Sequence, residues 1–157
     1  MLTRNAAEIT RRSGVAINVV QVADRNIEHA KAVVASGVEV TDDAFAVVNN
    51  PNVDVVVELI GGYTLSKELV LKAIANKKHV VTANKALIAL HGNEIFAAAK
   101  ANNVIVAFEA AVAGGIPIIK ALREGLTANR IQWVAGIING TTNFILSEMR
   151  DKGLTFD

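Results

Sequence analysis

Apolar positions in this chain follow two rhythms, one near 3.6 residues and one made of short β-branched runs, and the two alternate from end to end. Residues 1–13 put Leu2, Ala6 and Ile9 roughly on one face, with Arg4, Glu8, Arg11 and Arg12 elsewhere, which predicts a helix stopped by Gly14. Residues 15–23 predict a strand closing on Asp24-Arg25. Helix is predicted over 27–36 up to Gly37, strand over 38–40, and a helix-like turn over 41–48 ended by Asn49-Asn50-Pro51. The run 53–60 is the most strand-like of all and is bounded by Gly61-Gly62. Thr64 is placed to cap the next helix, where Leu65, Leu69, Val70, Ala73 and Ile74 make a buried stripe and Glu68 and Lys72 an exposed i,i+4 pair.

Strand 79–82 follows, then Asn84-Lys85 and helix-forming residues, with a further alanine-rich helix over 93–101. Residues 104–108 predict a strand, 117–126 a helix and 131–138 a strand. Asn139-Gly140-Thr141 then turns into a helix running to about Lys152. Such alternation predicts an α/β fold, a doubly wound and mostly parallel sheet. No repeat, linker or low-complexity tract divides the 157 residues.

Composition sharpens this. Hydrophobic residues make up 52% of the chain but aromatics only 4%, so the apolar content is mostly Ala, Val, Ile and Leu. That suits buried parallel strands under alanine-rich helices. With 16 Lys and Arg against 15 Asp and Glu, no basic footprint argues for nucleic acid or a membrane surface. Cysteine is absent, which excludes disulfides and thiolate metal sites and fits a reducing, cytoplasmic setting. There is no recognisable signal peptide and no apolar run long enough to span a bilayer.

The chemistry is expected at residues 78–88. A β-branched strand stops there at Asn84, a favoured helix N-cap, and Lys85 follows at once. This sets a lysine at a strand-to-helix turn near the carboxyl end of a strand, the edge where open α/β sheets bind ligands. Such a lysine can hold phosphate or carboxylate, or exchange a proton with a carbonyl oxygen; it can also be simply solvated. His29 and His91 read as helix-surface residues, His79 as a strand start, and Trp133 as core or interface.

A nucleotide-binding sheet should open with strand, glycine-rich turn and helix. No glycine precedes Gly14, and the chain starts inside what would be that first helix, while 153–157 resembles a helix stop followed by a cap. The expectation is an internal piece of a longer protein, with the sheet truncated at both ends. In that frame Asp24 falls where an acidic ribose ligand belongs, and Arg25 beside it suits a 2′-phosphate, so NAD and NADP both remain open.

Four motifs, in order and spacing, closely resemble the homoserine dehydrogenase family: Val57-Glu-Leu-Ile-Gly-Gly62, Val81-Thr-Ala-Asn-Lys-Ala-Leu87, Phe108-Glu-Ala-Ala-Val-Ala-Gly-Gly-Ile-Pro117 and Gly136-Ile-Ile-Asn-Gly-Thr-Thr-Asn-Phe-Ile-Leu146. The resemblance covers the chain from about Val15 onward. It implies a Rossmann-type sheet, a partial NAD(P)-binding domain running into the start of a catalytic domain from about residue 127. It further implies reduction of L-aspartate 4-semialdehyde to L-homoserine with NAD(P)H, on the route to threonine and methionine, by a full-length homo-oligomer. It implies that Lys85 contacts cofactor and reacting centre, and that Ile60 or Gly61 lines the nicotinamide nucleotide by its backbone. Asn139 and Gly140 are expected in the crevice near nicotinamide and substrate. The loop after Glu109 resembles the family's monovalent-cation site, which implies sodium held by Glu109, Val112, Gly114 and Ile116. Hard cations favour oxygen ligands, although Gly114-Gly115-Ile116-Pro117 also reads as an ordinary strand-to-helix turn. The glycine-rich loop would lie before Met1, and the acidic substrate ligands and second catalytic lysine beyond Asp157. Ala113 stands where glycine is usual, a change expected to matter little. The alternatives are another NAD(P)-dependent amino-acid or sugar dehydrogenase, and a non-enzymatic NAD(H)-sensing domain.

Overall fold

A computed structural model describes residues 1–137 and 139–155. The chain divides into two compact units, Met1–Val112 and Ala113–Asp157.

In the first unit, α1 (Ala6–Ser13) ends as its sequence requires, with Gly14 left-handed at φ 77° and its N–H on the Thr10 carbonyl. It has no buried residue, and Ile9 is only half-buried. β1 (Gln21–Ala23), α2 (Ile27–Val33), β2 (Glu39–Thr41) and α3 (Ala44–Asn49) follow. β1 and β2 pair in parallel, Val22 opposite Val40. The strand expected over 15–23 is therefore paired only over its last three residues. Val15, Ile17, Val19 and Val20 are exposed, because β-branched side chains favour extended backbone but a ladder needs a neighbour. Thr41, expected in a helix, closes β2. Its hydroxyl takes the Asp43 N–H, and Asp43 caps α3 through the Phe45 N–H.

The core lies under the second sheet. β3 (Val55–Glu58), β4 (His79–Thr82) and β5 (Val106–Ala107) are parallel in the order β3-β4-β5, with Val56 opposite Val80 and Glu58 opposite Thr82. α4 (Thr64–Ala75) and α5 (Lys85–Asn102) supply Leu69, Val70, Ala73, Ile74, Leu87, Ile95 and Ala99, which pack with Val48, Val53, Val56, Val80 and Val106. Four of the five residues of the expected α4 stripe are buried. Leu65 is exposed instead, and Ser66 takes an inward position. Tyr63, not Thr64, stands at the cap of α4, and it offers no side-chain hydrogen bond there. The Glu68–Lys72 pair does not form; Lys67 reaches across to Glu94 of α5 at 2.8 Å. The separate helix expected at 93–101 is the second half of α5, which runs unbroken through His91-Gly92-Asn93. Burial of Gly92, Ile95 and Ala99 overrides the weak helix preference of His91, Gly92 and Asn93.

β4 has its expected bounds, and His79 at its start accepts the Ile105 N–H on Nδ1 at 3.0 Å. Just before it, Lys78 is buried, and its Nζ donates to the Asn50 and Val53 carbonyls, each at 2.6 Å. This cation ties the entry of β4 to the turn that starts β3.

The second unit holds the short helix α6 (Ile118–Lys120), continued as a π turn over Ala121–Gly125, and α7 (Gly140–Lys152). Pro117, expected at the first helical position, is the cap of α6. The strand expected over 131–138 is not seen among the described residues, and Ile138 lies outside them; Ile131, Trp133, Val134 and Ile137 are exposed. Trp133, expected in a core or interface, is 78% exposed. Among the described residues no helix is long and apolar enough to cross a membrane.

Replacing Lys78 by Met strands two carbonyls at a buried turn. It should lower stability by about 1–3 kcal/mol, read from the urea midpoint at unchanged slope. A midpoint equal to the parent's would show that the two bonds carry no net stability.

Candidate active site

β3 and β4 end side by side, and each ends by turning a backbone N–H onto its own last side chain. Glu58 Oε1 accepts the N–H groups of Ile60 and Gly61 at 2.9 and 3.3 Å. Across the register, the Thr82 hydroxyl donates to Glu58 Oε2 at 2.6 Å and accepts the Asn84 N–H at 3.0 Å. Glu58 is 5% exposed and Thr82 fully buried. A carboxylate held in that setting needs donors on its oxygens, and here it has three.

The loop after β3 is pinned from two further sides. Ser66 Oγ of α4 donates to the Gly61 carbonyl at 2.8 Å, and Asn84 Nδ2 donates to the Gly62 carbonyl at 2.5 Å. Gly61 and Gly62 are both left-handed, at φ 74° and 67°, a pair of conformations that disfavours any residue with a Cβ. The same Asn84 caps α5 as its sequence predicts, its Oδ1 accepting the Leu87 N–H at 3.1 Å. One asparagine thus fixes both the two-glycine loop and the first turn of α5. Lys85 is the first residue of that turn; it is exposed and has no hydrogen bond or ion pair among the described residues.

Ile60, Gly61 and Lys85 are therefore brought together through Asn84 and Glu58. Leu59 and Ile60 present exposed apolar side chains on the loop. Asp24 and Arg25 lie just beyond β1, and both are exposed. Asp24 Oδ1 accepts the Asn26 N–H at 2.7 Å, so the residue is a turn former with one carboxylate oxygen to spare. These groups fit a dinucleotide in kind: backbone free of Cβ atoms, a carboxylate oxygen for a ribose hydroxyl, and an unpaired amine.

Glu109 opens a 3₁₀ turn, Glu109–Ala111, and is half-buried; its carbonyl accepts the Val112 N–H at 3.3 Å. In the second unit the Ile116 carbonyl accepts the Ile118 N–H, whereas Gly114 carries no such bond. Ala113 is left-handed at φ 46°, so alanine in place of glycine there holds a Cβ in a conformation that disfavours it by about 1–2 kcal/mol. The change expected to be of small consequence is therefore a strained one. Asn139 caps α7 with Oδ1 on the Thr142 N–H at 2.9 Å, and Gly140 is the first residue of that helix. Among the described residues no three His, Asp or Glu side chains gather as a metal set.

Glu58, Thr82 and Ser66 were not among the residues expected at the site. The available signal was a charged residue inside an apolar strand, which needs buried partners.

Asn84→Ala removes a cap and a loop anchor together. It should cost about 0.5–2 kcal/mol, and Asn84→Ser, which restores only the cap, should recover part of that in a urea titration. Full recovery by serine would show that the bond to Gly62 contributes nothing.

Residues 1–109 match the family model described as homoserine dehydrogenase, NAD binding domain, and residues 117–157 match the model described as homoserine dehydrogenase. A homoserine dehydrogenase of Pseudomonas aeruginosa is 68% identical over 99% of this chain, which spans 36% of that relative's length. A crystal structure of the Thiobacillus denitrificans homoserine dehydrogenase, also 68% identical, superposes with a TM-score of 0.86 over 99% of this chain and 36% of its own. A hyperthermophilic archaeal homoserine dehydrogenase in complex with NADPH, 27% identical, gives 0.72 over 98% of this chain and 54% of its own. The chain spans a little over a third of the first two relatives. With the α/β fold, the parallel strands and matches across nearly its whole length, this chain belongs to the homoserine dehydrogenase family.

Proposed function

We propose that the chain is the dinucleotide-binding part of an enzyme that reduces L-aspartate 4-semialdehyde to L-homoserine with NAD(P)H. The observation that carries the reading is the unpaired Lys85 amine, on a helix start tied through Asn84 to the two-glycine loop. Backbone of Ile60 and Gly61 lines the nicotinamide nucleotide, with the exposed Ile60 side chain offering an apolar surface. The free oxygen of Asp24 takes a ribose hydroxyl and Arg25 a 2′-phosphate where one is present. By the family resemblance Asn139 and Gly140, at the start of α7, are candidate cofactor contacts in the full-length enzyme.

When bound, the cofactor supplies the hydride that reduces the aldehyde carbon. Lys85 holds positive charge near the oxygen as it becomes an alkoxide and delivers the proton that completes the alcohol. A cation beside the developing charge lowers the barrier most where water is excluded. By the same resemblance Glu109, Val112, Gly114 and Ile116 are the candidates for holding a monovalent cation, such as sodium, through oxygen atoms. Supporting this, the Val112 and Gly114 carbonyls are not engaged in the turns around them. The setting is cytoplasmic amino-acid biosynthesis, in keeping with a sequence free of cysteine.

In the full-length enzyme Lys85→Ala should reduce turnover by about 10²-fold or more, the scale of a lost general acid or charge stabiliser. Unchanged turnover on aspartate semialdehyde would remove Lys85 from the mechanism. Replacing sodium by lithium in the assay buffer should weaken cofactor binding severalfold if the oxygen set holds the ion; equal affinities in both salts would dissolve the cation assignment.

A further inference from the structure

Resting on that reading, we infer that Glu58 is a positioning residue that locks the cofactor-facing loop and the Lys85 helix into a single unit. The buried contacts run in one line. The Ile60 and Gly61 N–H groups donate to one oxygen of Glu58, and the Thr82 hydroxyl donates to the other. Thr82 in turn accepts the Asn84 N–H, and Asn84 caps the helix that begins at Lys85. Asn84 then closes the circuit by donating to Gly62. A shift of the loop must be felt at the amine, and the reverse, because every link is a hydrogen bond to backbone or between buried side chains.

The chemistry demands a carboxylate. Three donors converge on Glu58 from two strand ends, and a carboxylate accepts on both oxygens. A carboxamide of the same shape accepts on one. Its NH₂ would face the Thr82 hydroxyl, which already accepts the Asn84 N–H and whose own hydrogen would lose the buried carboxylate oxygen it now donates to. Glu58→Gln therefore keeps volume and packing but breaks the circuit at the crossing between β3 and β4. Thr82→Val breaks it at the same point from the other side, and Thr82→Ser preserves it.

The experiment uses the full-length enzyme that contains this segment. NADPH affinity is read from nicotinamide fluorescence, turnover at saturating cofactor is measured separately, and thermal midpoints are recorded. Glu58→Gln and Thr82→Val should each weaken NADPH binding about tenfold and lower turnover by a similar factor, the scale of one lost charge-assisted hydrogen bond. Thr82→Ser should stay within about twofold of the parent. In the Lys85→Ala background, Glu58→Gln should add no further loss of turnover, since it acts through that amine. A lowered thermal midpoint with affinity and turnover intact would overturn the inference and leave Glu58 a merely structural residue. So would a Glu58→Gln effect that multiplies fully with that of Lys85→Ala. In both those cases the reading of Lys85 itself survives, whereas a silent Lys85→Ala removes the proposed function and this inference together.

Discussion

The first unit depends on a charge placed where a hydrophobic side chain would be expected. Along β3, Val56 and Glu58 point to the side covered by α4 and α5, while Val55 and Val57 are exposed. Leaving a carboxylate there unpaired would cost several kcal/mol, so its oxygens must find donors close by. They find them in the next two backbone N–H groups and in the neighbouring strand's last side chain. Those N–H groups are then not offered to a sheet partner. β3 stops because its own glutamate claims the donors that would have carried it further, and β4 stops because Thr82 does the same to Asn84. The edge of the sheet and the shape of the loop beyond it have one cause.

At the opposite end of the same two strands the sign is reversed and the logic repeats. Lys78 is as buried as Glu58 and, like it, has no ion-pair partner among the described residues, giving its amine to the carbonyls of Asn50 and Val53. A buried ion pair would hold two side chains to each other and say little about the backbone. Two buried ions bonded to the main chain instead fix loop conformations, one at each end of the β3–β4 pair. Specificity of backbone shape is what such groups supply, in exchange for the desolvation they cost.

How much of this the sequence discloses depends on whether a residue's role is local. Gly14, Asn84 and Asn139 are legible because a helix terminus needs one side chain or one left-handed residue within a turn, and all three behave as read. Strand β4 is legible because a four-residue run with three β-branched residues sits between two clear stops. Residues 15–20 and 131–137 show the failure. Their composition asks for extended backbone, but pairing is a property of a neighbour far away in sequence. Within the site, Ile60, Gly61 and Lys85 could be named from the motif they sit in. The role of Glu58 in that same motif is not legible, since its partner Thr82 lies 24 residues on and only the parallel register makes them adjacent.

The placement of Lys85 carries its own argument for function over stability. The first turn of a helix is its positive end, where unpaired N–H groups favour an acidic residue or an anion. α5 has no acidic residue in that turn and begins with a lysine, an arrangement that costs about 0.3–1 kcal/mol at an exposed terminus. Nothing in the described structure offsets this, for the amine has no carboxylate partner. Two positive features stacked at one point are unfavourable only while no negative group is present. A phosphate, a carboxylate or a carbonyl oxygen gaining charge during reduction would reverse the sign of both at once. The local defect in α5 and the chemistry of the proposed reaction are then the same electrostatic fact, seen without and with the reacting oxygen.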